Sequence, residues 1–139
     1  MIKMVCRVLI KLVKDDKEVK TKALLNSGFE ANTPDIAIPI NIAKQLDLWP
    51  PREDAKPAII ETGGGETSAI YYEEVVKLYL ILGDREPKVV DVNVIVNPHI
   101  REVLISDYVA SQLGVILLDF KKGYWRLSDD PPNKIRSSY

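Results

Sequence analysis

The chain is expected to fold as a mostly β domain, on three observations. Apolar and polar residues alternate at a period of two, β-rich runs come in pairs separated by turn residues, and helix-forming windows are few and short.

Met4, Cys6, Val8, Ile10 and Leu12 share one face of a first strand, whose other face carries Lys3, Arg7 and Lys11. Asp15, Asp16, Lys17 and Glu18 supply a polar turn. Val19, Thr21, Ala23 and Leu25 then resume the alternation, which makes an antiparallel hairpin. Residues 75–82 and 89–96 form a second hairpin across Gly83-Asp84, with Val90, Val92, Val94 and Val96 on one face. Residues 116–120 and 124–127 flank Lys121-Lys122-Gly123 as a third. Helix is expected only over residues 41–48 and 106–113, beginning at the capping residue types Asn41 and Ser106.

The 139 residues suffice for one domain with a real core, and 46% of them are hydrophobic. Cys6 is the single cysteine, so there is no disulfide framework. With 19 Lys and Arg against 20 Asp and Glu, the net charge of -1 lacks the basic footprint of phosphate-backbone binding, and nucleic acid is not an expected partner. No apolar run reaches the roughly 18 residues that span a bilayer. Lys3, Arg7, Lys11 and Lys14 interrupt the opening segment where a signal peptide needs an unbroken apolar stretch. The expectation is a cytoplasmic protein with no membrane association. Asp129-Asp130, Pro131-Pro132 and Ser137-Ser138 leave the C-terminal residues few apolar side chains with which to hold a core, so residues 129–139 are expected to be a flexible tail on a domain of residues 1–128.

An internal echo organises the domain. Ala43-Lys44-Gln45-Leu46-Asp47-Leu48 is matched by Ala110-Ser111-Gln112-Leu113-Gly114-Val115, each at the end of a short helix. Upstream, Ala23-Leu24-Leu25 runs into Asn26 and Val103-Leu104-Ile105 runs into Ser106. Strand, small polar residue and helix therefore recur in one order, and two such halves can frame a central cleft.

Ala23-Leu24-Leu25-Asn26-Ser27-Gly28-Phe29-Glu30, followed by Ile38-Pro39 and Leu46-Asp47-Leu48, resembles retropepsin-like aspartic peptidases, most closely their small prokaryotic members. The family carries an apolar strand, then Asp-Thr-Gly or Asp-Ser-Gly, an apolar-Pro step and a helix ending in Leu-Gly-Leu. In the second half, Val103-Leu104-Ile105 stands where the family has an apolar run ending in Gly, and Gln112-Leu113-Gly114-Val115 follows. The resemblance implies a closed β-barrel of the acid protease fold with one or two short helices. Residues 59–70, with Gly63-Gly64-Gly65 at their centre, take the place of the family's flap hairpin, whose tip must move over a peptide.

The family works with two carboxylates that share one proton, one serving as base on a water while the other donates to the scissile carbonyl. A chain this short supplies one of them, so the resemblance implies a homodimer. Here Asn26 stands at the catalytic position, beside Ser27 and Gly28, and its carboxamide neither titrates nor accepts a proton at useful pH. Loss of general acid-base catalysis costs about 10²- to 10⁴-fold per group, so the sequence as written is expected to be inactive as a peptidase. Phe29, Glu30, Gly63, Gly64 and Gly65 are the implied substrate-binding residues.

Three accounts follow. The chain is a homodimer that binds extended peptide or an unstructured protein segment without cleaving it, an endopeptidase whose catalytic Asp has been substituted by Asn26, or a non-enzymatic dimeric interaction module. Ser106 stands at the family's Gly position, which silencing an enzyme gives no reason to change, and this favours natural loss. Glu30 and Asp35 read as solvated loop carboxylates, and Tyr71, Tyr72 and Tyr79 as strand packing. His99 alone makes a poor metal site and Cys6 reads as a buried inert thiol, so neither a metal nor a cofactor is expected.

Overall fold

The computed structural model describes residues 6–25, 28–62 and 64–139. β1 (Arg7–Lys14) and β2 (Lys17–Leu25) pair antiparallel with Lys14 opposite Lys17, so the turn is Asp15-Asp16 alone. Lys17 and Glu18, expected in that turn, belong to β2. Asp15 sits at φ 52°, a left-handed conformation that Asp tolerates because its short side chain can bond locally.

After the first hairpin come β3 (Asp35–Ile38), α1 (Ile40–Gln45), β4 (Lys56–Thr62) and β5 (Gly65–Leu80). β6 (Lys88–Val96), β7 (Val103–Ile105) and α2 (Asp107–Leu113) follow, then β8 (Val115–Asp119), β9 (Tyr124–Leu127) and β10 (Arg136–Ser137). The order β1-β2-β7-β3-β6-β5 returns to β1, which closes a six-stranded barrel and leaves β4 as an outlying partner of β5. The fold is thus mostly β, as expected, with a closed barrel and two helices.

Period-two alternation fills the barrel. Val8, Ile10 and Leu12 of β1 point inward with Leu78 and Leu80 of β5, Val92, Val94 and Val96 of β6, and Ile36 and Ile38 of β3, all essentially buried. α1 plugs one side with Ile42 and Ala43, and α2 another with Val109 and Leu113. α1 starts one residue earlier than expected. Pro39, extended at φ -75°, precedes it, its carbonyl accepts from Ala43 N–H at 3.1 Å, and Asn41 lies inside the helix rather than capping it.

The second expected hairpin is part of something longer. β5 runs 16 residues from Gly65, pairing with β4 from Gly65 to Tyr71, with β6 from Ile70 onward and with β1 from Lys77 to Leu80. A register shift between Tyr72 and Val76, with Glu74 at φ 47° and its N–H donated to Asn93 Oδ1 at 3.0 Å, bends the strand between the two duties. Tyr72 pins the bend from inside: its buried hydroxyl donates to the Leu48 carbonyl at 2.8 Å and accepts from Arg52 N–H at 3.1 Å. Among the described residues no helix is long and apolar enough to cross a membrane.

The third hairpin, β8–β9, forms a small separate sheet whose third strand, β10, comes from the segment expected to be a tail. Charge rather than apolar contact holds that segment, which is why its composition does not announce it. Arg136 grips Asp130 through Nε and Nη2 at 2.9 and 3.0 Å, and Asp84 through Nη1 at 2.8 Å. Asp130, with only 3% of its side chain exposed, also accepts from Arg85 at 3.1 Å and from Leu127 N–H at 2.8 Å. Beyond β10, Ser138 Oγ accepts from Arg7 N–H at 2.7 Å and Tyr139 N–H donates to the Arg7 carbonyl at 3.0 Å, which ties the last residues to the start of β1.

Arg136 and then Lys134 hold the Asp84 carboxyl at about 2, Arg85 and then Lys88 do the same for Asp129, and Arg136 pulls Asp130 well below the usual carboxylate range. The unfolded chain therefore takes up protons first as the solution acidifies. The clamp's contribution is complete above the ordinary carboxylate value of 3.8 and is lost as the pH falls towards about 2. Arg136→Met leaves Asp130 buried without its main partner and is expected to cost about 3 kcal/mol at neutral pH. Urea denaturation followed by tryptophan fluorescence measures this, and the variant should also lose less stability than the parent between neutral pH and pH about 3.

Candidate functional site

The two apolar triplets of the sequence echo lie side by side. β2 and β7 are parallel and in register, with Ala23 opposite Val103, Leu24 opposite Leu104 and Leu25 opposite Ile105. Asn26 and Ser27, the positions that carry the family resemblance, lie outside the described residues, as does Gly63. On the β7 side the chain passes into Ser106, fully buried, whose Oγ accepts from Val109 N–H at 3.3 Å as the N-cap of α2. α2 ends on Gly114 at φ 78°, and a Cβ there would lie 2.7 Å from Ser128 Oγ, so both the conformation and the space call for glycine.

Asp107, which the sequence does not single out, ties α2 to the segment that follows Asn26-Ser27. Its N–H donates to the Phe29 carbonyl at 3.0 Å, and its Oδ1 accepts from Ala31 N–H at 3.0 Å. These bonds set the course of residues 28–31 along one side of a cleft of about 530 Å³.

Strand register builds the cleft floor. Leu104 of β7 pairs with Ala37 of β3, and Ala37 pairs with Ile95 of β6, so the three form a row on the outer face of the barrel. Gly28, Phe29 and Glu30 make one wall, with Ile100 and Asn97 closing an end. The opposite wall is the β4–β5 hairpin, which contributes Ile59, Ile60 and Glu61, with Ile59 70% exposed. Gly64 and Gly65 sit at the hairpin tip rather than in the cleft wall, and Gly65 takes φ 113°, open only to glycine.

Asp35 also lines the cleft and is not the solvated loop carboxylate expected from sequence. Its Oδ1 accepts from Asn93 Nδ2 at 3.0 Å and from Thr33 Oγ1 at 2.9 Å. Nearby, burial first and the Asp35 charge second push the Tyr71 hydroxyl above its ordinary value. Glu30 and Glu61 are exposed. Tyr72 and Tyr79 pack as strand residues, the first in the core and the second beneath the Lys11 ammonium, 4.8 Å from its ring centroid.

The remaining chemistry-bearing groups stand apart from this cleft. Cys6 is buried, and burial pushes its thiol up to about 11, which keeps it protonated and unreactive. His99 is exposed in a turn whose N–H is bonded to Asn97 Oδ1 at 2.9 Å. Among the described residues no group of three or more His, Cys, Asp or Glu side chains is placed to hold a metal ion. A second cleft, of about 410 Å³, opens between α2 and β8 beside Leu25.

Asp107→Ala removes the acceptor for Ala31 N–H and is expected to cost about 1 kcal/mol, whereas Asp107→Asn keeps an acceptor oxygen and most of that stability. Amide hydrogen exchange at Ala31 reads the effect directly, and unchanged protection in Asp107→Ala would show that the loop is held by other means.

No protein-family model matches the chain, and no curated protein matches it.

Proposed function

We propose that this chain is a retropepsin-like, homodimeric peptide-binding protein that holds an extended segment in the cleft under the β4–β5 hairpin and does not cleave it. The observation that carries this reading is where the cleft lies. One wall begins at Gly28-Phe29-Glu30, directly after Asn26-Ser27 in the chain, and the other is a glycine-tipped hairpin. The barrel closure and the in-register β2–β7 pair support the same reading, as a pseudo-symmetric framework for a central cleft.

Binding and cleavage call on different groups. An extended peptide needs an apolar floor for alternate side chains and a strand edge for its backbone. Leu104, Ala37 and Ile95 supply the first, and β4 supplies the second, since among the described residues it pairs only with β5. Cleavage needs a base to activate water, and a carboxamide at position 26 is none. Among the described residues no side chain fills the cleft, which supports a binding role over an interaction module with a filled cleft.

A homodimer finds its surface on the second cleft. β8, which lines that cleft with Val115, Ile116 and Leu117, has an unpaired outer edge among the described residues, and Leu118 of the same strand and Phe120 just after it are each 45% exposed. Because that cleft reaches Leu25, a twofold partner seated on it would bring its own position 26 towards the first.

Asn26→Asp, incubated with unstructured proteins across roughly pH 3 to 7, a range bracketing a shared-proton carboxylate pair, is expected to generate new peptide termini by mass spectrometry where the parent sequence generates none. Such cleavage marks the dimer and cleft as intact around position 26, in an endopeptidase silenced there. A folded, dimeric Asn26→Asp that cuts nothing restricts the chain to binding.

Leu118→Glu combined with Phe120→Glu is expected to convert the dimer to monomer by sedimentation velocity, with an unchanged circular dichroism spectrum because both side chains are exposed. A parent chain that sediments as a monomer at all concentrations would defeat the dimeric reading.

A further inference from the structure

The charged groups that line the peptide cleft are all of one sign. Several carboxylates elsewhere meet cations: Asp84, Asp129 and Asp130 face Arg85, Lys88, Lys134 and Arg136, Glu73 faces Lys56, Asp91 faces Lys77, and Glu102 faces Arg7. The cleft is lined by Glu30, Asp35 and Glu61, and no Lys or Arg shares its lining. None of the three forms an ion pair among the described residues. Glu66 lies directly across the hairpin from Glu61 and adds a fourth carboxylate on the lid.

This segregation is local, because the whole chain is nearly neutral. The outer face of the first hairpin holds the counterpart, where Lys11 stands opposite Lys20 and Leu9 opposite Lys22. Asp35 is also fixed in position: with Asn93 Nδ2 and Thr33 Oγ1 both donating to one oxygen, its carboxylate cannot swing away from the floor row.

We propose that the cleft selects extended segments in which Lys or Arg flanks an apolar residue. The proposal rests on the peptide-binding reading above and names the chemistry of its ligand. The apolar side chain lies on Leu104, Ala37 and Ile95, while the backbone runs along the open edge of β4. Successive residues of an extended chain rise about 3.3 Å and point to opposite sides, so residues beside the apolar one leave the floor, and only long side chains such as Lys and Arg reach back to the carboxylates around it. Glu30 stands in the wall of residues 28–30, Glu61 in the β4–β5 hairpin, and Asp35 at the start of the floor strand β3. An acidic segment meets like charge on both sides and is rejected.

The test is a fluorescence-anisotropy titration of three labelled, unstructured peptides that share one apolar centre and differ only in flanks of Lys and Arg, of Ser and Gln, or of Glu. At low salt the basic peptide should bind about tenfold tighter than the neutral one, the acidic peptide weakest, with the gap closing as salt screens the rim charges. In Glu30→Gln/Glu61→Gln the gap between basic and neutral peptides should shrink severalfold. Equal affinity for basic and neutral peptides overturns the charge selection and leaves the cleft a general peptide site. A basic preference that persists unchanged in the double variant also overturns it, since the charge is then read elsewhere. If none of the peptides binds saturably, the peptide-binding reading fails and the selection with it.

Discussion

β7 is three residues long, and the barrel closes through it. Val103–Ile105 is paired in parallel with β2 on one side and antiparallel with β3 on the other, so it bridges strands from two separate parts of the chain. A strand this short gains little from its own ladder. Its place is enforced by burial: Val103 and Ile105 face the core and are at most 1% exposed, while Leu104 turns outward to the cleft floor. A one-residue slip would put Leu104 into the core and turn Val103 and Ile105 out, undoing core and floor together. Register at β7 thus fixes the floor, and the buried cap at Ser106 carries that register into α2 and, through Asp107, into residues 28–31.

The hairpin over the cleft is tied to the barrel in another way. β5 is continuous, so the lid strand and the wall strand are one element, and the bend at Glu74 sets the angle between them. Both anchors of that bend come from elsewhere in the chain: Asn93 receives the Glu74 N–H on the outer side, and Tyr72 reaches the α1 exit at Leu48 on the inner side. The β4–β5 hairpin is therefore coupled to the core through buried and half-buried hydrogen bonds, which are costly to leave unmade. At the hairpin end Gly65 takes φ 113°, a conformation open to glycine, with clear space where a Cβ would stand.

What the sequence made legible follows its periodicities. The inward-facing apolar positions of β1, β2 and β6 could be read from their alternation, because each strand buries one face against a single core, whereas the start of β2 at Lys17 and the buried Asn93 of β6 carry no such signal. Ser106 could be read as a cap because a hydroxyl before a short apolar helix has a local purpose. Asn41 carried the same signal and misled, since the rigid extended Pro39 already delivers the chain to the helix. Long-range charge pairing has no sequence period. The clamp joins Asp130 to Arg85, 45 positions away, and Arg136 to Asp84, 52 positions away, and composition alone leaves residues 129–139 as a tail. Asp107 and Asp35 were invisible for the same reason, since their worth lies in a loop amide and an amide side chain distant in sequence.

The cleft and position 26 place distinct demands on the chain. Floor, open strand edge and rim charges act on a bound segment in its ground state, and none of them requires a group that titrates near position 26. In the proposed dimer, two aspartates facing each other would have to share a proton before the copies could approach, which would couple assembly to proton uptake. Two carboxamides remove that coupling while keeping shape and both donor and acceptor atoms. In that proposed dimer an Asn at this position would give up proton transfer and in return free the two copies from a charge conflict. The proposed role, holding peptides rather than cutting them, would gain from that exchange.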